Sequence, residues 1–227
     1  MYKYDVHTHT AEVSACGQVV ARDLVKSYKD KGYDGIVITD HYYLDYFEGL
    51  GENSWEDKVK SYLSGYYEAR EAGYKYNIDV FLGMELRFTE EWPNDFLVYG
   101  IDEDFLLDNP KLYEYNLEKF TRLKEEYDIL IYQAHPYRGK CSVAPSDLLD
   151  GVEVYNGHPR HDSRNHLALE FATSNDLLML SGSDAHMAED VGRGGILSKD
   201  RIRDSRHMVE VLRNIREQNL IRSALWL

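Results

Sequence analysis

The pattern of hydrophobic and polar positions alternates along the chain between a strand-like and a helix-like period. Short runs rich in Val, Ile, Leu and Tyr, bounded by Gly, Asp or Pro, are typical of strands. Seven segments show this pattern: YKYDVH, DGIVITDH, VFLGMELRF, DFLVYGI, ILIYQAHP, GVEVYNG and LLMLSGSDAH. Because helical patterns lie between most of them, we expect repeated βα units and a mainly parallel sheet. Seven or eight such units over this length favour a closed or distorted barrel over an open sheet.

Helical periodicity marks the segments between these strands. VVARDLVKSYKDKG places apolar residues on one face and stops at a glycine. A second helix is predicted from a candidate N-cap at Ser54 to a stop at Gly73. Three more helices are predicted to begin at Pro110, Asp162 and Asp204.

Composition narrows the class of protein. The 227 residues fit one domain spanning residues 1–227. No apolar run approaches the ~20 residues that span a bilayer, and the first residues lack a charged-then-apolar signal pattern, so we expect a cytoplasmic protein without a membrane partner. A net charge of −14 opposes general nucleic-acid binding. A small phosphorylated substrate remains compatible with that charge, because bound cations invert the local potential.

Ionisable side chains stand at the C-terminal ends of five predicted strands. They are His7, His9, His41, Glu85, His135, Asp184 and His186. Active sites of βα barrels are built at this end. The i, i+2 spacing of HTH and of DAH places each pair on one face of a strand, where Asp5 is also expected, whereas Asp40 should face away. Imidazole and carboxylate together suit zinc, manganese or iron, so the pattern predicts a metal cluster.

The motifs DVHTHT, TDH, GMELRF, AHPYR and SDAH, in this order, resemble those of the PHP (polymerase and histidinol phosphatase) domain family. The resemblance runs from about Tyr2 to about Gly195. It implies a distorted (β/α)7 TIM-like barrel of the PHP type, with two or three divalent transition-metal ions (Mn, Fe or Zn) at its C-terminal face. Most members are phosphoesterases.

The resemblance also implies a ligand set. His7, His9, Glu85 and Asp184 would hold one ion, Glu85 and His135 a second, and His41 and His186 a third. Members carry a further ligand shortly after the HxH motif, for which we favour Glu12 over Cys16 because a hard carboxylate fits a site of oxygen and nitrogen donors. The chain departs from the pattern at Leu97, where many members have a histidine that binds the second ion.

These features predict hydrolysis of a phosphate ester of a small molecule through a metal-bridged hydroxide. Arginines should neutralise the phosphoryl oxygens. The candidates, in order, are Arg138, Arg193 and Arg160, and His158 is expected to line the substrate. One alternative is an amidohydrolase-type barrel, although the mid-barrel strand ends lack the lysine that such enzymes usually carboxylate. The other is a metal-binding regulatory domain without turnover.

Overall fold

Ten strands form one curled sheet, and eight helices surround it. The computed structural model describes residues 1–124 and 126–223. The strands are β1 (Tyr2–Thr8), β2 (Gly35–Ile38), β3 (His41–Tyr42), β4 (Asp79–Leu86), β5 (Phe96–Tyr99), β6 (Leu130–Gln133), β7 (Gly151–Asn156), β8 (Leu178–Gly182), β9 (Gly194–Ser198) and β10 (Leu220–Arg222). The helices are α1 (Ala21–Asp30), α2 (Leu44–Gly49), α3 (Trp55–Tyr62), α4 (Ser64–Tyr76), α5 (Glu103–Asp108), α6 (Leu117–Leu123), α7 (Asn165–Ser174) and α8 (Ser205–Asn214). Among the described residues, no helix is both long enough and apolar enough to cross a bilayer.

The sheet is a nearly closed barrel. Its strand order is β10-β9-β1-β2-β4-β5-β6-β7-β8, and β3 pairs with β4 beyond the end of β2. The two sides meet where Thr8 bridges Ala185 and where the Asp184 amide donates to the His7 carbonyl at 2.9 Å. The predicted TIM-like barrel is confirmed, but the strand count is not seven, because β3, β9 and β10 add to the predicted strands.

One strand of the barrel runs backwards. β5 is antiparallel to both β4 and β6, whereas the other neighbours around the barrel from β1 to β8 are parallel. The link from β4 to β5 spans residues 87–95 and contains only a short 3-10 turn at Thr89–Glu91. Parallel strands need a crossover of a dozen or more residues, so a link of this length reverses the chain. The start of β5 therefore lies at the same end of the barrel as the C-terminal ends of its neighbours.

The lower interior of the barrel is apolar, and polar groups collect at the upper mouth. Tyr4, Val6, Leu97, Tyr99 and Tyr132 are buried together inside the barrel. The Tyr99 hydroxyl donates to the Val6 carbonyl at 2.8 Å, which satisfies one of the few polar groups in this layer. This packed layer forms the floor beneath the polar cluster at the mouth.

The predicted helices exist, but their ends differ. Ser54 caps its helix through the Asp57 amide, as predicted, yet the helix breaks at Leu63 and resumes as α4. α4 continues through Gly73 to an Asn77 in the left-handed conformation. Gly73 serves packing instead, because a Cβ there would lie 2.8 Å from the Ile78 carbonyl.

The other helix starts follow their capping contacts. α6 begins after Asn116, whose side chain accepts from the Lys119 amide at 2.8 Å, and not at Pro110. Asp204 caps α8 as predicted, accepting from the His207 amide at 2.8 Å. Asp162 provides no cap for α7, which follows an Arg164 with a positive φ of 48°.

Candidate metal centre

Four imidazole rings surround the carboxylate of Glu85 at the mouth of the barrel. Glu85 lies on β4 and is completely buried. His7 Nε2 and His9 Nε2 lie 3.4 and 3.3 Å from its oxygens. His41 Nδ1 and His135 Nε2 lie 2.9 and 3.1 Å from them. The rings come from β3 and from the ends of β1 and β6, so the barrel brings distant parts of the sequence to one carboxylate.

Asp184 contacts the same two N-terminal histidines as Glu85. Its Oδ1 atom lies 3.4 Å from His7 Nε2 and 3.2 Å from His9 Nε2. His186 Nδ1 lies 3.4 Å from that oxygen. The expected regular strand does not explain this arrangement, because β8 ends at Gly182 and Asp184 has a positive φ of 52°. A turn in the backbone, and not strand alternation, directs Asp184 into the mouth.

Opposite charges hold the cluster in an ionised state. Burial acts to lower the pKa of His7, but Glu153, Asp184 and Glu85 outweigh it and raise that pKa well above its usual value. Burial acts to raise the pKa of Glu85, but His41 and His7 hold it well below its usual range. Burial, together with His186 and His41, lowers the pKa of the His9 imidazole. The mouth thus combines carboxylates with at least one neutral imidazole.

Several buried atoms of the cluster have no hydrogen-bond partner among the described residues. They are His7 Nε2, His9 Nε2, His41 Nδ1, Glu85 Oε2 and His135 Nδ1. Leaving buried polar atoms unpaired costs free energy, which a bound cation can offset. Ligand atoms of His7, His9 and Glu85 lie within 4.8 Å of one another, and so do those of His9, His41 and His186. Imidazole nitrogen and carboxylate oxygen are donors for zinc, iron or manganese, so these residues fit divalent metal ions.

Glu153 on β7 supports the cluster from below, a role that the sequence did not reveal. Its Oε1 lies 2.8 Å from His7 Nδ1, and its Oε2 accepts from the His135 amide at 3.1 Å and from Asn156 Nδ2 at 2.9 Å. With a metal ion bound, a proton on Nδ1 of His7 would donate to Glu153 and leave the Nε2 lone pair for the ion. A single carboxylate in the otherwise apolar strand GVEVYN was the available signal.

Ser14 supports His9 in the same way. Its hydroxyl donates to Asp40 at 2.7 Å and lies 3.2 Å from His9 Nδ1. Asp40 also accepts from the Thr10 amide and hydroxyl, while burial raises its pKa to about 6. The expectation that Asp40 faces away is corrected, because β2 ends at Ile38 and the chain bends before β3. Asp5, as expected, lies below the cluster, where it accepts from the Ser183 amide and from Tyr28.

The structure places Cys16, and not Glu12, beside the third group of candidate ligands. Both Glu12 oxygens accept from the Ala21 amide at 3.0 Å, and the exposed side chain thereby caps α1. Cys16 lines the same cavity as His41 and His186. Burial opposes ionisation of this thiol, but those two histidines outweigh it and lower the thiol pKa to about 6. Glu12 stays a predicted ligand, although its carboxylate serves the helix in this structure.

Comparisons with known proteins agree with this architecture. A family model described as PHP-associated matches residues 162–219. A two-domain protein of Bacteroides vulgatus, described as containing a predicted PHP-like metal-dependent phosphoesterase, superposes with a TM-score of 0.65 and 20% identity over 94% of this chain. The chain spans 62% of that protein. The chain therefore resembles this PHP-like protein in fold.

Other similar proteins are matched over most of their own length. Protein MJ1587 of Methanocaldococcus jannaschii is 25% identical over 181 residues, covering 74% of this chain and 89% of the relative. PsfC of Pseudomonas syringae superposes with a TM-score of 0.67 and 18% identity over 93% of this chain and 88% of its own. An amidohydrolase of Chromobacterium violaceum, solved with bound sulfate, gives a TM-score of 0.54 and 16% identity over 83% and 89%.

The predicted arginines fall into two groups. Arg138 and Arg160 line the cavity above the cluster, and His158 lines it as well. Arg138 contacts Asp184 Oδ2 at 2.8 Å and Asn156 Oδ1 at 2.5 Å. Arg160 forms a bidentate pair with Asp190 at 2.8 and 2.5 Å.

Arg193 lies apart from the cluster. Its Nε donates to the Glu189 carbonyl at 2.9 Å, and it is absent from the cavity lining in the described part of the chain. The role of Arg193 beside the substrate stays a prediction that this position does not favour.

The cavity above the cluster has a volume of about 780 Å³. The lining residues that escaped the sequence reasoning include Arg87 and Trp92. Arg87 forms a bidentate pair with Asp95 at 2.7 and 2.8 Å. Trp92 is 64% exposed at the rim and gives the polar mouth an apolar wall. Both residues lie in the link between β4 and the reversed β5, which a parallel-barrel expectation assigns to an ordinary crossover.

Proposed function

We propose that the chain hydrolyses phosphate esters of small molecules with the help of two or three divalent transition-metal ions. The observation that carries this proposal is the position of Glu85, a buried carboxylate within 3.4 Å of four imidazole rings. Several nitrogens of these rings have no hydrogen-bond partner among the described residues. Divalent ions bound there supply Lewis-acid activation of water and of phosphoryl oxygens.

The candidate ligands divide into three groups around that carboxylate. His7, His9, Glu85 and Asp184 would hold one ion, and Glu85 with His135 would hold a second. His41 and His186 would hold the third. Glu153 and Ser14 orient the rings of His7 and His9, so that their Nε2 lone pairs face the ions.

Arg138 is the side chain best placed to bind the phosphoryl group. Its side-chain contacts with Asp184, Asn156 and Ser163 in the described part of the chain use Nε and Nη2, which leaves Nη1 for an anion. Arg160 and His158 stand beside it, with Arg160 Nη2 3.2 Å from His158 Nε2. A guanidinium that remains charged at any working pH suits the developing charge on phosphoryl oxygens.

The first experiment is a screen of phosphomonoesters and phosphodiesters with the metal-free protein and with added Mn²⁺, Fe²⁺ or Zn²⁺. Activity should vanish after chelation and return with metal. Arg138→Ala should raise KM for a phosphomonoester about 10-fold or more, because it removes a charge-assisted contact. Arg193→Ala is the matched control and should stay within about 2-fold of the parent, as an exposed contact away from the cavity. Turnover that survives verified metal removal would contradict the proposal.

The Chromobacterium violaceum neighbour, described as an amidohydrolase, supports a second candidate. The same screen should therefore include amides and lactones. Metal-dependent turnover of those substrates, without any turnover of phosphate esters, would favour the amidohydrolase reading. Metal binding without any turnover would favour the regulatory one.

We also propose that residues 1–227 form one domain. The described strands support this, because β1 near the start of the chain and β10 near its end both pair with β9. Limited proteolysis should leave no stable fragment that retains metal, and a metal-binding fragment would argue for two domains.

A further inference from the structure

The donors around His41 and His186 differ from those around His7. The His9 ring lies between the rings of His41 and His186, with centroid separations of 4.5 and 4.3 Å. His9 Nε2 is completely buried, and neither it nor His41 Nδ1 has a hydrogen-bond partner in the described residues. Ligand atoms of these three histidines lie within 4.8 Å of one another. This side of the cluster is therefore a group of three imidazoles, in which His9 Nε2 has no hydrogen bond within the described residues and His41 Nδ1 faces Glu85 at 2.9 Å.

Cys16 lines the cavity together with His41 and His186, and its side chain is exposed to solvent. Glu12, the nearest carboxylate in the same loop, caps α1 through the Ala21 amide. The loop thus directs sulfur toward the imidazoles and directs its carboxylate toward a helix.

Backbone contacts fix the position of Cys16. The Gly17 amide donates to the Ser14 carbonyl at 2.8 Å, and the Gln18 amide donates to the His186 carbonyl at 2.8 Å. A Cβ at position 17 would lie 2.6 Å from the Thr10 carbonyl oxygen, so the turn accepts only glycine there. The thiol is consequently tied to the His186 segment by the loop itself.

We propose that Cys16 binds, as a thiolate, the metal ion held by His41 and His186, and that this site takes a thiophilic ion such as Zn²⁺ in preference to Mn²⁺. Thiolate and imidazole are the donors that zinc favours, whereas manganese favours carboxylate and water. The inference rests on the metal dependence within the proposed function, but not on which ester is hydrolysed. A solvent-facing thiolate ligand is also accessible to thiol reagents.

The direct test is the absorption spectrum of the Co²⁺-substituted protein. A thiolate bound to Co²⁺ produces an intense sulfur-to-metal charge-transfer band in the near ultraviolet. The parent and Cys141→Ser should show the band, and Cys16→Ser should lose it together with about one equivalent of bound metal. Glu12→Gln should keep both. Circular dichroism of the variants separates ligand loss from unfolding.

Metal competition gives a second readout. Cys16→Asp should restore binding at this site but lower the ratio of Zn²⁺ to Mn²⁺ affinity by about 10-fold or more, as ligand softness predicts. In the Cys141→Ser background, Zn²⁺ should also slow alkylation of Cys16 by iodoacetamide, measured by mass spectrometry.

The outcomes separate this proposal from the proposed function. The charge-transfer band without phosphate-ester turnover would support the Cys16 ligand and reject the substrate. Turnover with a band that survives in Cys16→Ser, or with no band in the parent, would overturn the Cys16 ligand alone. Loss of metal in Glu12→Gln but not in Cys16→Ser would return the role to the carboxylate and would also overturn it.

Discussion

Two sides of the barrel mouth are built differently. At the seam between β1 and the segment after β8, each candidate ligand is held by a further contact: His7 by Glu153, His9 by Ser14, and Asp184 by Arg138. At the hairpin of β4 and β5, Glu85 lies opposite Leu97 in register. Arg87 and Asp95 come next along this hairpin, and two hydrogen bonds join their side chains to each other. The seam therefore offers several supported ligands, whereas the hairpin offers one.

Strand direction explains the difference. A parallel strand presents its C-terminal end at the mouth, where the chain leaves the sheet and side chains can converge. β5 is reversed, so the residues at its beginning reach the mouth. Asp95, which precedes β5, takes this position, while Tyr99 at the end of β5 lies in the apolar interior. A rule that looks for ligands at strand ends finds the seam and Glu85, but it misses Asp95 at the start of the reversed strand.

Removing the carboxylate that both sides share should have the largest effect. Glu85→Gln replaces a charge facing four imidazoles, so bound metal should fall and kcat/KM should drop about 10³-fold, equivalent to several kcal/mol of lost stabilisation. Elemental analysis and steady-state kinetics measure both quantities.

Asp79→Asn is the matched control for Glu85→Gln. Asp79 begins the same strand at the opposite end of the barrel and pairs with Arg201. This variant should keep its metal and its activity. Equal losses in the two variants would mean that the Glu85 effect is one of folding.

The seam should depend on its supporting contacts. Glu153→Gln keeps the shape of the side chain but places an amide NH2 against either His7 Nδ1–H or the His135 amide. Metal affinity should fall about 10–100-fold, the usual cost of losing a partner that orients a ligand. Competitive titration with a chelator of known affinity gives the number.

Glu170→Gln is the matched control for Glu153→Gln. Glu170 lies on α7, away from the cavity lining in the described residues. Its affinity for metal should not change. An unchanged affinity in Glu153→Gln as well would show that the seam holds its metal without this support.

The sequence predicted the residues of the mouth better than the reasons for their positions. The spacing of HTH places His7 and His9 together, and both rings contact Glu85 and Asp184. The same spacing argument also placed Asp184 and His186 at the mouth, but its reason was wrong. A positive φ, and not the alternation of a strand, turns Asp184 inward. Local spacing is readable in a sequence, whereas a backbone turn after a strand is not.

Long-range contacts explain most of what the sequence left out. The contact of Ser14 with Asp40 depends on the bend between β2 and β3, and the proposed choice of Cys16 over Glu12 depends on where α1 begins. The reversal of β5 follows from the short link that precedes it. The length of this link can be read from the sequence, but the expectation of a mainly parallel sheet did not take it into account. Each omission concerns a backbone path and not the chemistry of a side chain.

The smallest expected effect comes from adding a ligand to the hairpin. Leu97 lies opposite Glu85 and faces the barrel interior, so Leu97→His directs an imidazole toward the His135 group. Burying an unpaired imidazole should destabilise the metal-free protein by about 1–3 kcal/mol, and metal should recover part of that loss.

Val98→His makes the same change at the adjacent position, which faces the outer layer, and should destabilise both forms equally. Thermal unfolding with and without metal distinguishes the two. A similar gap between the metal-free and metal-loaded midpoints in both variants would show that position 97 does not reach the ions, and that the hairpin contributes Glu85 alone.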